Sequence, residues 1–390
     1  MKFPLVISVL LFLASPASAQ FGAAILGTVT DSTGSAVPHA AVKLTNSQTG
    51  HSEKTATGEN GEFQFLSVAV GRYRVEVQAP GFKTAGTEEF AADVSARQRV
   101  DVQLEVGELN QTVNVKEAAA ALETDSSNRG QVIQHDAIVD LPLNGRAYAD
   151  LALLSPGVRK AVQSNTASRD AAYDVNGMRS AFNSYNLDGL DNNAYGTSNQ
   201  GFSYQVIQAS PDAVQEFRFD TNNYSAEYGR AAGAVINASI RSGTNQPHGS
   251  VWEFLRNTQL NAVGFFQPVG GQKPTLVQNQ FGAAVGGPIR KNKLFFFTDY
   301  EGFRSAAQTL TYSTLPTAAQ KQGNLGTAIV NPYNGTAYPN GIIPADQITP
   351  FAAKVLAALP DPNLPGAANN YQSSPATLTP NDKGDARIDY

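Results

Sequence analysis

Apolar and polar residues alternate along several short segments in the first hundred residues of the chain. The clearest is Tyr73–Gln78, where every second side chain is apolar. A period of two is typical of β-strands with one buried face, and Gly, Asn and Asp turns separate the segments. The predicted strands are Leu26–Thr30, Ala41–Thr45, Phe63–Phe65, Tyr73–Gln78 and Val100–Leu104. We therefore predict a small antiparallel β-sandwich over residues 20–107, whose inner face includes Val29, Val42, Leu44, Phe63, Phe65, Tyr73, Val75, Val77, Val102 and Leu104.

Residues 129–245 carry a mixed pattern that predicts a small α/β domain. Short helical patterns cover Gln134–Val139 and Arg146–Leu154, on either side of a segment punctuated by Pro and Gly. Strands are predicted near Ser184–Leu187, Val214–Asp220 and Ala234–Ile240. Residues 108–128, between this domain and the sandwich, are predicted to be a linker.

Residues 246–390 are predicted to form the first strands of an outer-membrane β-barrel. The predicted strands are Gly249–Leu255, Gln280–Val285 and Leu294–Tyr300, and the last of them ends in aromatic residues. A Pro- and Asn-rich stretch from Pro316 to Pro380 is expected to be one long loop, with a helix near Pro350–Leu359. About 145 residues make up this region, whereas a barrel around a folded plug needs on the order of 22 strands. We therefore expect the chain to be the front portion of a larger protein.

The first nineteen residues have the three parts of a secretory signal peptide. Lys2 supplies the positive charge, Leu5–Leu13 is an apolar run too short to span a bilayer, and Ala17–Ala19 is an A-x-A cleavage site. We predict export, cleavage after residue 19 and a mature chain that begins at Gln20.

Composition and motifs argue against several function classes. The chain has no cysteine and therefore cannot form disulfide bonds. Its 33 acidic and 28 basic residues give a formal charge of −5, and the basic residues do not form a stripe. Nucleic-acid binding is therefore not expected. There is no G-x-S-x-G elbow and no Walker loop. The histidines are scattered and lack zinc-site spacing: His39, His51, His135 and His248. We predict a protein that is not an enzyme and has no cofactor or metal.

The sandwich region resembles the carboxypeptidase regulatory-like (transthyretin-like, Ig-like) domain. The resemblance rests on "GTVTDSTGSAVPHAAVKL", "TATGENGEFQFLSVAVGRYRVEVQAPGF" and "VDVQLEVG". In peptidases this domain is an accessory module, so the resemblance implies no zinc site.

The next region resembles the plug of TonB-dependent receptors, in the Oar-like branch that has such an N-terminal domain. Three blocks carry the resemblance: "LPLNGRAYADLALLSPGV" (Leu141–Val158), "VNGMRSAFNSYNLDGLDNN" (Val175–Asn193) and "EFRFDTNNYSAEYGRAAGAVINASIRSGTN" (Glu216–Asn245). The resemblance implies a plug-gated importer in the outer membrane, with a periplasmic energy-transducing TonB-type protein and membrane lipid as partners. The sequence does not identify the extracellular ligand, and a saccharide and a peptide are the two candidate classes. The alternative is a carbohydrate-binding or adhesin-like cell-surface interaction protein.

Three motifs have competing interpretations. The segment Thr112, Val113, Asn114 and Val115 is our candidate for coupling to the periplasmic partner by strand addition; the competing interpretation is a plain linker strand. Asp188–Asn193 suggests calcium only superficially, and an Asx/Gly turn is favoured because the ligand spacing of a calcium loop is absent. The remaining motif is a set of aromatic residues, for which we favour a girdle at the membrane interface over ligand stacking: Trp252, Phe295, Phe296, Phe297, Tyr300 and Phe303.

Overall fold

The computed structural model describes residues 22–107, 112–115, 125–143, 145–161, 172–194, 205–263 and 273–390. The predicted signal peptide lies outside these residues. The described chain divides into two compact units. The first comprises the chain up to Trp252 with Gly282–Glu301 and Lys383–Tyr390, and the second comprises Glu253–Phe281 and Gly302–Asp382.

The chain begins with a β-sandwich of two sheets. Its strands are β1 (Ala23–Asp31), β2 (Ala41–Asn46), β3 (Ser52–Ala56), β4 (Glu62–Val68), β5 (Gly71–Gln78), β6 (Thr84–Thr87), β7 (Phe90–Ala92), β8 (Arg97–Arg99), β9 (Val102–Leu104) and β10 (Thr112–Val115). One sheet has the order β4-β1-β8, with β9 also paired to β1. The other has the order β10-β6-β5-β2-β3, with β7 also paired to β5.

The ten residues predicted for the inner face of the sandwich are all buried in one hydrophobic cluster, which confirms that prediction. The sandwich was predicted to be antiparallel, and most of its strand pairs are, but β1 pairs in parallel with β8 and β9, and β10 pairs in parallel with β6. The predicted strand Val100–Leu104 is also interrupted. Asp101 lies between β8 and β9, and its Oδ1 accepts hydrogen bonds from the backbone N–H (2.8 Å) and the Oγ1 (2.7 Å) of Thr28.

A central domain follows the sandwich and consists of a five-stranded sheet, a separate two-stranded sheet and short helices. Its elements are β11 (Arg129–Gln134), α1 (His135–Asp140), a 3₁₀ helix (Tyr148–Leu154), β12 (Val158–Lys160), β13 (Tyr173–Val175), a 3₁₀ helix (Ser180–Phe182), β14 (Ser184–Leu187), β15 (Leu190–Asp191), β16 (Val214–Asn222) and β17 (Val235–Ile240). The main sheet has the order β11-β16-β17-β14-β15. Its core combines aliphatic and aromatic residues, with Phe217 and Phe219 fully buried on β16.

A four-stranded sheet of long strands completes the part of the chain that resembles a barrel. It has the order β18 (His248–Asn257), β19 (Leu276–Arg290), β20 (Leu294–Gln308) and β25 (Ala376–Asp389). β19 and β20 are 15 residues each, much longer than predicted, because the alternation continues through Gly and Ala residues that give a weak hydrophobic signal. None of the helices in the described residues is long and apolar enough to cross a membrane.

The segment between β20 and β25 contains short elements, so the prediction of one long loop ending at Pro380 is wrong. They are β21 (Thr311–Ser313), α2 (Ala318–Lys321), β22 (Ile329–Val330), β23 (Ala337–Tyr338), 3₁₀ turns at Pro339–Gly341 and Ala345–Gln347, α3 (Pro350–Ala358) and β24 (Tyr371–Ser373). β21 pairs with β24, and the buried Asn370 supports this pairing through two 2.8 Å hydrogen bonds with the backbone of Leu315. The predicted helix near residue 350 is confirmed as α3.

Candidate functional site: a buried ion-pair network

Arg146 lies at the centre of a buried ion-pair network between the central domain and the long strands. Its backbone has a φ of 53°, directly after Gly145 with a φ of 83°. Few residues with a side chain adopt this left-handed conformation, and those that do concentrate at functional sites. The guanidinium Nε donates to Glu301 Oε2 at 3.0 Å, and Nη2 donates to the carboxylate of Asp212. The guanidinium also lies over the ring of Trp252, 5.1 Å from its centroid.

The two carboxylates around Arg146 have further partners on the long strands. Ser250 Oγ on β18 donates to Asp212 Oδ1 at 2.7 Å. Lys383 Nζ on β25 lies 3.7 Å from Glu301 Oε1 on β20. Three of the four long strands thus contribute a polar group, and two cations balance two carboxylates. Buried charges are tolerated when they are paired and hydrogen-bonded in this way.

A second polar contact joins β17 to the end of β25. Arg387 Nη1 donates to the carbonyl oxygen of Ile240 at 2.8 Å and lies 3.6 Å from Asp188 Oδ1. Ser242 Oγ donates to Asp389 Oδ2 at 2.6 Å. Burial raises the pKa of Asp188, and the nearby Arg387 opposes that shift. This contact therefore depends on the charge of Asp188 in the central domain and on the charge of Arg387 on β25.

Aromatic residues of the long strands pack against the central domain. Phe297 is fully buried and belongs to the same cluster as Phe217 and Tyr185, and Trp252 packs against that cluster. Phe295 is buried as well. The predicted interfacial girdle is therefore wrong for Trp252, Phe295 and Phe297. Alternating side chains of a strand point to opposite faces, so a run of aromatics cannot all lie on the lipid side.

The candidate coupling segment lies in the sandwich. Thr112–Val115 form β10, whose Cα partners in the parallel ladder are Thr84–Thr87 of β6. Among the strands that the structure describes, β10 is at the end of its sheet. The structure thus places this segment in an edge strand and not in the ion-pair network.

The Asp188–Asn193 segment forms a tight hairpin turn, which confirms the preferred interpretation. Asp188 and Gly189 have φ values of 47° and 78°, and they connect Leu187 to its antiparallel partner Leu190. Two successive positive φ values are typical of a type I′ turn. In the described part of the chain, no three His, Cys, Asp or Glu side chains are arranged to hold a metal ion.

The ion-pair network was not predicted from the sequence. A signal for part of it was available, since Asp299 and Glu301 have the same parity as Phe295 and Phe297 along one strand. Acidic residues in phase with an inward-facing aromatic pair indicate a polar partner on that face. No such local signal marked Arg146 as that partner.

Comparison with known proteins gives two domain matches. The carboxypeptidase regulatory-like domain matches residues 24–105, and the outer membrane beta barrel domain matches residues 239–390. The chain is 29% identical over 271 residues to the TonB-dependent transporter Oar of Myxococcus xanthus, covering 63% of this chain and 24% of that protein. The chain thus spans about a quarter of the length of this relative.

Two solved structures are also similar to the chain. The siderophore receptor PirA of Acinetobacter baumannii is 20% identical with a TM-score of 0.34, covering 50% of this chain and 30% of that one. The outer membrane transporter YddB of Escherichia coli is 15% identical with a TM-score of 0.37, covering 48% and 27%.

Proposed function

We propose that this outer-membrane protein, which carries a carboxypeptidase regulatory-like domain and an outer membrane β-barrel domain and is similar to TonB-dependent transporters, imports a ligand by plug-gated active transport. In this proposal the central domain is the plug and the long strands belong to the barrel wall. The observation that carries it is the network around Arg146, which ties the plug to the strands through buried charges. The ligand is unidentified, and a saccharide or a peptide fits the class.

The network can hold the plug against the strands and can also be broken reversibly. Removing one partner of a buried ion pair leaves an uncompensated charge, which costs several kcal/mol, whereas breaking the whole network into water recovers the hydration of every group. Such a network holds the plug against the strands as long as water is excluded, and the two can separate once water reaches the charged groups. A pull from the periplasm would therefore shift the plug most easily after a first local opening around Arg146.

The pull would act through Thr112–Val115. An edge strand presents backbone N–H and C=O groups that a partner can pair with, and strand addition is a general mode of peptide recognition. The segment also precedes the first strand of the plug in the chain. We propose that the periplasmic energy-transducing protein pairs with this edge.

Photocrosslinking at Asn114 tests the coupling proposal. With a photoreactive amino acid at this position, we expect irradiation of cells to give an adduct with the periplasmic energy-transducing protein, because β10 is the edge where that partner would add its strand. The matched control is Lys54 on β3, at the opposite edge of the same sheet. Adducts at Lys54 but not at Asn114 would rule out this segment as the coupling site.

A further inference from the structure

The sandwich docks on the plug domain through the turn between β7 and β8. The backbone N–H of Val94 in this turn donates to the carboxyl group of Glu216 on β16. Next to it, the Tyr228 hydroxyl donates to Ser95 Oγ at 2.9 Å, and Ser95 has a left-handed φ of 57°. The turn is thus shaped to present one N–H and one hydroxyl to the neighbouring domain.

A second turn of the sandwich makes an uncharged contact. The backbone N–H of Asn245 donates to the carbonyl oxygen of Gln48 at 3.0 Å. A Cβ at Gly50 would lie 2.6 Å from Asn292 Oδ1, in the turn between β19 and β20, so only glycine fits there without displacing that side chain. Because no ionisable group takes part, the strength of this contact should not depend on pH.

The first contact brings a buried carboxyl group and a half-buried one together. Glu216 is 3% exposed, and Asp93 of the sandwich turn lies beside it. A cation close enough to act on Glu216 is Arg218, which also pairs with Asp220 at 2.9 and 3.1 Å. The positions opposite Glu216 on the flanking strands are Gln134 and Ser239, which do not ionise.

The pKa of Glu216 reflects these surroundings. Burial raises it first, and the charge of Asp93 and the hydrogen bond with it raise it further, to about 8. The Val94 N–H and the charge of Arg218 oppose the rise. Two carboxyl groups in contact cannot both ionise without strong repulsion, so they hold one proton between them.

We propose that Asp93 and Glu216 share one proton and that this proton holds the Asp93–Ser95 turn of the sandwich on the plug, so that this docking contact is released as the surrounding pH rises. The proposal goes beyond transport itself, and it stands whether or not the protein imports a ligand. It assigns the N-terminal domain a docking surface of its own, made of the Asp93–Ser95 turn and the Glu216–Tyr228 face.

The direction of the pH effect follows from proton linkage. The docked state raises the pKa of Glu216 above its ordinary value of 4.5, so docking takes up a proton. The stabilisation is complete below the ordinary pKa and is lost as pH rises towards about 8. Within that window the docking equilibrium weakens by at most about tenfold per pH unit.

Hydrogen exchange at the Val94 amide of the intact protein in detergent micelles tests the proposal. We expect its protection, corrected for the intrinsic exchange rate, to fall at least about tenfold between pH 6 and pH 9. The reference is the Val29 amide, which bonds to Gly61 O within the sandwich and should keep its protection. Glu216→Gln imitates the protonated acid, so the protection of Val94 should no longer depend on pH.

Asp93→Asn is the second variant, and it should also weaken the pH dependence because it removes the like charge. Val29 protection in both variants shows whether the sandwich is folded. A Val94 protection that is independent of pH in the unmodified protein would overturn the proposal. The same pH dependence in Glu216→Gln and the unmodified protein would overturn it too.

Discussion

Replacing Arg146 with alanine is expected to lower the free energy of opening of the central domain by about 3–5 kcal/mol. The substitution leaves Asp212 and Glu301 buried without the guanidinium that bonds to both. The effect should appear as faster hydrogen exchange of the β16 core around Phe217 and Phe219 in the intact protein.

Arg159→Ala is the matched control for Arg146. Arg159 also pairs with an aspartate of the same domain, Asp174, at 2.9 Å, but its side chain is 70% exposed. Exposed pairs contribute about 0–1 kcal/mol, so this variant should exchange almost as slowly as the unmodified protein. Equal effects of the two substitutions would mean that the buried network does not stabilise the central domain.

Val75→Asp is expected to unfold the sandwich. Val75 is fully buried on β5 in the centre of the core, and an unpaired carboxylate there costs several kcal/mol, comparable with the whole stability of a small domain. A fragment of residues 20–115, which includes β10, should show a cooperative thermal transition by circular dichroism that the variant lacks.

Arg74→Asp provides the comparison for Val75→Asp. Arg74 is the preceding residue of the same strand and is exposed, so the same new side chain points into water. We expect the transition to be retained with a small shift in midpoint. An unchanged melting curve for Val75→Asp would show that the inner face of β5 is not a core.

The strand pattern of the sandwich was predictable because burial on one face leaves a period of two in the sequence. Every inner-face residue from Val29 to Leu104 is buried for this reason. The direction of pairing was not predictable, because alternation is the same for a parallel and an antiparallel partner. The parallel pairing of β10 with β6 is one example, since it depends on how the chain returns and not on Thr112–Val115 themselves.

The functional contacts were harder to predict because their partners are far apart in the chain. Arg146 and Glu301 are separated by 155 positions, and no local sequence pattern at either residue predicts the other as its partner. The aromatic run at Phe295–Phe297 was misread for a related reason. Its composition suggests a membrane interface, while its alternation places Phe297 against the central domain.

The most direct test of plug gating is the conductance of the full-length protein in a planar lipid bilayer. If the plug closes the barrel and the Arg146 network retains it, the unmodified protein should be almost silent. Arg146→Ala should then show frequent openings, and Arg159→Ala should stay closed. A steady open current from the unmodified protein, or an Arg146→Ala variant as silent as its control, would contradict a plug held in the pore by these buried charges.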